Sequence, residues 1–92
     1  MTLTVTSINC YSDTDDTALD LVEYAGTDLS SGTTIDAITI STDGTSVYYD
    51  VQTTITAPTI ETGNCIYADF DDTDDPGWVK IDVQGWFNAD VN

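Results

Sequence analysis

Arginine and histidine are absent from this sequence, and Lys80 is the only basic side chain against 17 acidic ones. Phosphate binding depends on clustered Lys and Arg, so nucleic acid is a poor partner and none is expected. Anionic membrane surfaces are disfavoured for the same reason. Without His there is no side chain that titrates near neutral pH, no Ser-His or Cys-His pair, and no Gly-rich phosphate loop appears either. The expectation is a protein that is not an enzyme. No apolar run reaches the length of a membrane-spanning helix, and Met1-Thr2-Leu3-Thr4 begins a strand pattern with no basic leader, so no signal peptide is expected. Asn9, Asn64, Asn88 and Asn92 lie in no glycosylation sequon.

Cysteine is also scarce. Cys10 and Cys65 are the only thiols, and nothing in their spacing demands a bridge. Buried free thiols are the favoured reading over a disulfide. No cationic neighbour in sequence lowers the pKa of Cys10.

What is present points to a folded β domain. Hydrophobic residues make up 40% and aromatics 10% of 92 residues, enough for one domain with a modest core. Acidic disordered tails lack the eight Ile, seven Val and five Tyr found here. The acids are 15 Asp and only two Glu, Glu23 and Glu61, and there are 17 Thr. Asp favours turns and caps over helix interiors, and β-branched Thr suits strands. No repeat, linker or low-complexity segment interrupts the chain.

Along the chain, Thr2 to Ile8 alternates as a first strand with Leu3 and Val5 inward, followed by an acidic loop from Ser12 to Asp16. The segment Thr17 to Ala25 has two readings. Ala18, Leu19, Val22 and Ala25 fit one helical face with Gly26 as a cap. Leu19 and Leu21, followed by Val22 and Tyr24, fit a strand with a bulge. The β context favours the strand. Ser30-Ser31-Gly32 reads as a turn. Thr34 to Thr42 and Thr45 to Ala57 flank Asp43-Gly44, a dipeptide suited to a type I′ hairpin turn, with Ile38 and Ile40 apolar and Ile35 offset. Pro58 closes the second strand and Glu61-Thr62-Gly63-Asn64 turns the chain. Cys65 to Phe70 is a short strand, and Trp78 to Phe87 is the last one, with Val79, Ile81 and Val83 on one face. The expected fold is all-β, a single antiparallel β-sandwich (Ig-like or jelly-roll-like) of roughly six to eight strands over residues 1–92.

Two constellations bear on function. Asp69, Asp71, Asp72, Asp74 and Asp75 place five carboxylates within seven positions, and weakly bound Ca²⁺ or Mg²⁺ would find oxygen ligands there. Asp13, Asp15 and Asp16 form a smaller acidic group. Counting an EF-hand from Asp71 puts Pro76 where a glycine belongs and Asp82 inside a strand, so the plainer reading is a solvated loop. Close carboxylate pairs arise by chance among so many acids and carry no catalytic signal. The second constellation is aromatic. Trp78 and Trp86 share the half-wet face of the last strand with Lys80, Asp82 and Gln84. With Phe87 and Tyr48 they form a candidate partner-binding surface, although a covering loop or a strand crossing between sheets would also account for them. Lys80 is expected to pair with a nearby Asp.

The Asp- and Thr-rich, nearly Lys-free composition along the whole chain resembles that of proteins of halophilic archaea and their viruses. In size and class the chain is similar to small β decoration proteins of tailed viruses. That resemblance implies a structural virion protein of a haloarchaeal virus, a capsid decoration or cement protein bound to the major capsid protein. Such a protein bridges capsomers through β edges and aromatic patches, often as a trimer. It is expected in the virion, assembled in the host cytoplasm, with both chain ends tied down by neighbours. Alternatives are a tail, neck or turret component, a cellular haloarchaeal carbohydrate- or peptide-binding module using Trp78 and Trp86, and an Asp-based cation-binding module.

A formal charge of −16 repels itself through tens of Å in dilute buffer, whereas in molar salt the screening length is about 3 Å. Dilution below roughly 1 M salt should therefore unfold or dissociate the protein, read as loss of the β signal in circular dichroism. A fold unchanged in dilute buffer would contradict the salt adaptation.

Overall fold

The structure, a computed structural model, describes residues 2–26, 28–45, 47–71 and 76–88. Eight strands are formed: β1 (Thr2–Ser12), β2 (Thr17–Tyr24), β3 (Gly32–Ile40), β4 (Thr42–Asp43), β5 (Tyr48–Gln52), β6 (Thr59–Ile60), β7 (Cys65–Phe70) and β8 (Val79–Asn88). They make two antiparallel sheets packed as a β-sandwich, which is the expected class. In the five-stranded sheet β1 is central, pairing with β8 along one edge and with β5 and β6 along the other, while β4 adds to β5. The second sheet has the order β3-β2-β7. Met1 and residues 89–92, on which the expectation of tied-down ends falls, lie outside the described residues; Thr2 pairs with Asn88.

The core forms where inward positions of the strands meet. Val5, Ile8 and Cys10 of β1 pack with Leu19 and Leu21 of β2, Ile35, Ile38 and Ile40 of β3, and Ile60 of β6. Burying each aliphatic side chain contributes roughly 1.5–3 kcal/mol before entropy is counted. Leu3 and Val5 face inward as the alternation requires. The first strand runs on past Ile8, however, because Cys10 and Ser12 continue the inward register.

The ambiguous segment 17–25 is the strand β2. The β2–β3 register slips between Leu21 and Val22, so Ile35 is the extra residue, and both Ile35 and Asp36 are buried as a result. The Asp36 carboxylate accepts bonds through Oδ1 from the Ala37 amide and the Thr56 hydroxyl, at 3.1 and 3.2 Å. Between β1 and β2 the chain turns around three hydroxyls, Ser12, Thr14 and Thr17, each 3.2 Å from the other two. Asp16 takes a left-handed conformation, φ 56°, which Asp tolerates better than most residues.

The Asp43-Gly44 hairpin is where the structure departs most from the sequence reading. Neither residue has positive φ, so no type I′ turn forms there. The turn lies later, closed by the Gly44 amide donating to the Val47 carbonyl at 2.8 Å. Only Thr42 and Asp43 pair back, onto Tyr49 and Tyr48. The long strands before and after belong to different sheets, since β3 pairs with β2 and β5 with β1. The expected strand Thr45–Ala57 is cut to Tyr48–Gln52, because the following segment leaves the sheet. There the Ala57 amide bonds the Ile35 carbonyl at 2.9 Å, closing the β3 side of the sandwich. By contrast, Glu61–Asn64 turns as expected. Gly63 has φ 85° and the Asn64 amide reaches the Glu61 carbonyl at 3.2 Å, the pattern of a type II turn.

One glycine decides whether β1 and β8 can pair. The ladder shifts between Val5 and Ser7, and Gly85 sits opposite Val5. A Cβ there would stand 2.1 Å from the Thr4 carbonyl oxygen, a backbone atom that cannot yield. Gly85→Ala should lower stability by about 2 kcal/mol or more, measured by denaturant unfolding in molar KCl. An unchanged midpoint would show that the two strands lie farther apart.

Candidate functional site

Two surfaces stand out, one on each side of β8. The outer face of the five-stranded sheet is set by register. Inward Ser12, Cys10 and Ile8 of β1 pair with inward Val79, Ile81 and Val83 of β8. The alternate positions therefore face solvent: Lys80 opposite Tyr11, Asp82 opposite Asn9, Gln84 opposite Ser7 and, beyond the bulge, Trp86 opposite Thr4. On the other flank of β1, Tyr49 and Val51 oppose Tyr11 and Asn9 and complete the same face.

Trp78 and Trp86 are 46% and 54% exposed at the two ends of this face, as the alternation requires. Trp78 is held from below. The Asp13 carboxylate accepts the amides of Gly77 and Trp78 at 2.9 and 3.3 Å, so the β1–β2 turn fixes the entry to β8. Gly77 permits that approach, since a Cβ there would stand 2.5 Å from Asp13 Oδ2. Between the two Trp the surface is polar. Ser7 Oγ donates to Gln84 Oε1 at 3.3 Å, and Gln84 Nε2 donates to Asp82 Oδ2 at 3.2 Å. Among the described residues Lys80 meets no carboxylate. Its Nζ lies 5.8 Å from the centre of the Tyr11 ring, a cation–π contact; Asp72, Asp74 and Asp75, acids near it in sequence, lie outside the described residues.

Tyr48 and Phe87 do not join this face. Tyr48 pairs with buried Ser12 and packs on the core, while Val51, on the opposite face of the strand, is 51% exposed. The alternation on β5 is thus the reverse of what Tyr48 as a surface aromatic implied. Phe87 follows Trp86 directly and so points to the other side of the sheet, yet it is 64% exposed.

That exposure marks the second surface, the open side of the sandwich between β7 and β8. Phe70 of β7 lies opposite core Leu19, and Ile66 opposite Glu23, so both face the core side, as does Ala68 opposite Leu21. All six residues of β7 are nevertheless exposed. A groove at one end is lined by Leu3, Ile60, Ile66 and Phe87. The Glu23 carboxylate anchors its rim, accepting the Glu61 amide and Asn64 Nδ2, both at 2.8 Å. Among the described residues β7 pairs only with β2 and β8 only with β1, so each presents a free edge here.

Of the candidate metal ligands, Asp69 lies on the outer face of β7 directly opposite Asp20, and Asp71 follows the strand, its amide on the Ala18 carbonyl at 3.1 Å. Asp72, Asp74 and Asp75 lie outside the described residues. Among the described residues no three ligating side chains converge. The sequence reading missed Tyr11, Tyr49 and Val51, which only the β1–β5 pairing brings onto one face, and Ile66 and Phe70, whose exposure depends on what does not cover them. No family model, curated protein or solved structure matches this chain.

The cysteines differ. Both are free, Cys10 fully buried and Cys65 exposed at the start of β7, so the reading of two buried thiols holds for Cys10 alone. Burial and then the charge of Asp50, its register partner on β5, push the Cys10 thiol up to about 11. In folded protein at mildly alkaline pH, a disulfide reagent should therefore titrate one thiol per chain, rising to two in denaturant and falling to none in folded Cys65→Ser. Two prompt thiols would place Cys10 elsewhere.

Proposed function

We propose that this chain is a structural subunit of a particle assembled in concentrated salt, most simply the capsid decoration or cement protein of a haloarchaeal virus. The observation that carries the reading is the open side of the sandwich. Apolar Ile66, Phe70 and Phe87 are left uncovered between two free strand edges, a combination that invites a protein contact. The net charge of −16 limits such contacts to surfaces where salt screens the acids. A role performed by surfaces needs no catalytic group, and the aromatic outer face supplies a second surface for the major capsid protein. Mass spectrometry of gradient-purified virions from a producing culture should find the chain at a copy number comparable to the major capsid protein. Its absence from purified particles would overturn the proposal.

A cellular carbohydrate-binding module is the second reading. It is favoured by Trp78, Tyr11 and Trp86 lying on one sheet face among Asn9, Asp82 and Gln84, since sugar rings stack on aromatics and bond to such polar groups. Trp78 and Trp86 are eight positions apart, roughly 26 Å at strand rise, which would span several sugar units. Saturable glycan-array binding lost in Trp86→Ala would support this reading, and no binding to any glycan would remove it.

A further inference from the structure

Resting on the assembly reading above, we infer that the first partner of this chain is a second copy of itself, joined through antiparallel pairing of β8 with β8 about a two-fold axis at Ile81. The free edge of β8 is the longest unpaired edge among the described residues. Its register with β1 is unbroken from Val79 to Gln84, so this stretch can accept another strand. A two-fold contact pairs each residue i with a residue j such that their numbers add to a constant, and charge selects the constant. Centring on Asp82 sets Asp82 against Asp82, and centring on Lys80 sets Lys80 against Lys80. Centring on Val83 sets Asp82 against Gln84 and Lys80 against Trp86. Only Ile81 at the centre puts Lys80 of each copy opposite Asp82 of the other, twice, on the outer face.

The same register matches the inner face. Val79 meets Val83 of the second copy twice, and Ile81 meets Ile81, all of them half-buried apolar positions adjoining the core. The exposed Phe70 and Ile66 of each open side would then face the other copy's open side instead of water. Lys80 is suited to the contact because, among the described residues, no acid of its own chain pairs with it. The contact is two-fold, where size and class suggested a trimer. The net charge of −16 on each copy opposes the approach unless salt screens it, so the contact forms in molar salt and is lost on dilution.

Sedimentation velocity in molar KCl tests the contact, with circular dichroism confirming that each variant is folded. Wild type should be a dimer at micromolar concentration. Lys80→Asp and Asp82→Lys each place like charges opposite one another twice and should weaken the dimer about tenfold or more. The double swap Lys80→Asp/Asp82→Lys restores opposite pairs and should recover it. A monomeric wild type, a dimer indifferent to the single substitutions, or a loss that the swap does not repair would each overturn the inference. A monomer that is still found stoichiometrically in virions would overturn the dimer and leave the structural reading standing.

Discussion

Ten residue pairs between β1 and β8 hold together the first and last described strands of the chain, from Thr2 with Asn88 to Ser12 with Val79. The five-stranded sheet hangs on this ladder, because β5 and β6 reach it only through the other edge of β1. The outer face depends on it as well. It sets Lys80 beside Tyr11, and its far end is where Asp13 captures the Trp78 amide. Such pairing joins residues 67 to 86 positions apart, so its loop-closure entropy has to be met before the contact rewards it. The β2–β3 hairpin is local by comparison and supplies half the core without that cost.

The second constraint is charge against a small core. Nine buried residues form the central cluster of a chain that carries 17 acids and a single lysine. Most acids on described strands point outward, as Asp20 and Asp69 do, even where this sets two of them directly opposite each other. Like charges at that spacing are destabilising in dilute buffer and tolerable only when screened. The inward acids are exceptions with specific partners, among them Asp50 beside Cys10, whose Oδ2 accepts Gln52 Nε2 at 2.6 Å. Glu23 caps the turn before β7, and Asp36 ties the segment after β5 to the edge of β3. These carboxylates close one side and one corner of the sandwich. Nothing comparable among the described residues closes the side between β7 and β8, so Ile66, Phe70 and Phe87 stay exposed there.

Local pattern was readable wherever a strand's neighbours agreed with it. The bulge beside Leu21 and Val22, the offset of Ile35, the glycine turn at Gly63 and the opposite faces of β8 all follow from alternation and turn chemistry within a few residues. The Asp43-Gly44 dipeptide misled for a physical reason. Its turn propensity is about 1 kcal/mol at most, whereas β3 buries Ile35, Ile38 and Ile40 against β2 and β5 ladders onto β1. Those burials outweigh the local preference, so the chain changes sheets and the hairpin shrinks to Thr42 and Asp43. Tyr48 was misplaced by the same error, since the face of a strand is decided by its pairing partner.

Composition by itself pointed to a folded β protein of net charge −16, with one lysine and no histidine. The reason is that these properties are sums over residues and need no knowledge of neighbours. Tertiary structure decided which aromatics share a surface, that Cys10 is buried beside Asp50 while Cys65 is exposed, and that Phe87 and Trp86 serve different surfaces. It also decided that the sandwich is open along β7 and β8. An uncovered edge is a property of what fails to pack there, and no residue of β7 or β8 records in its own identity whether another strand lies beside it.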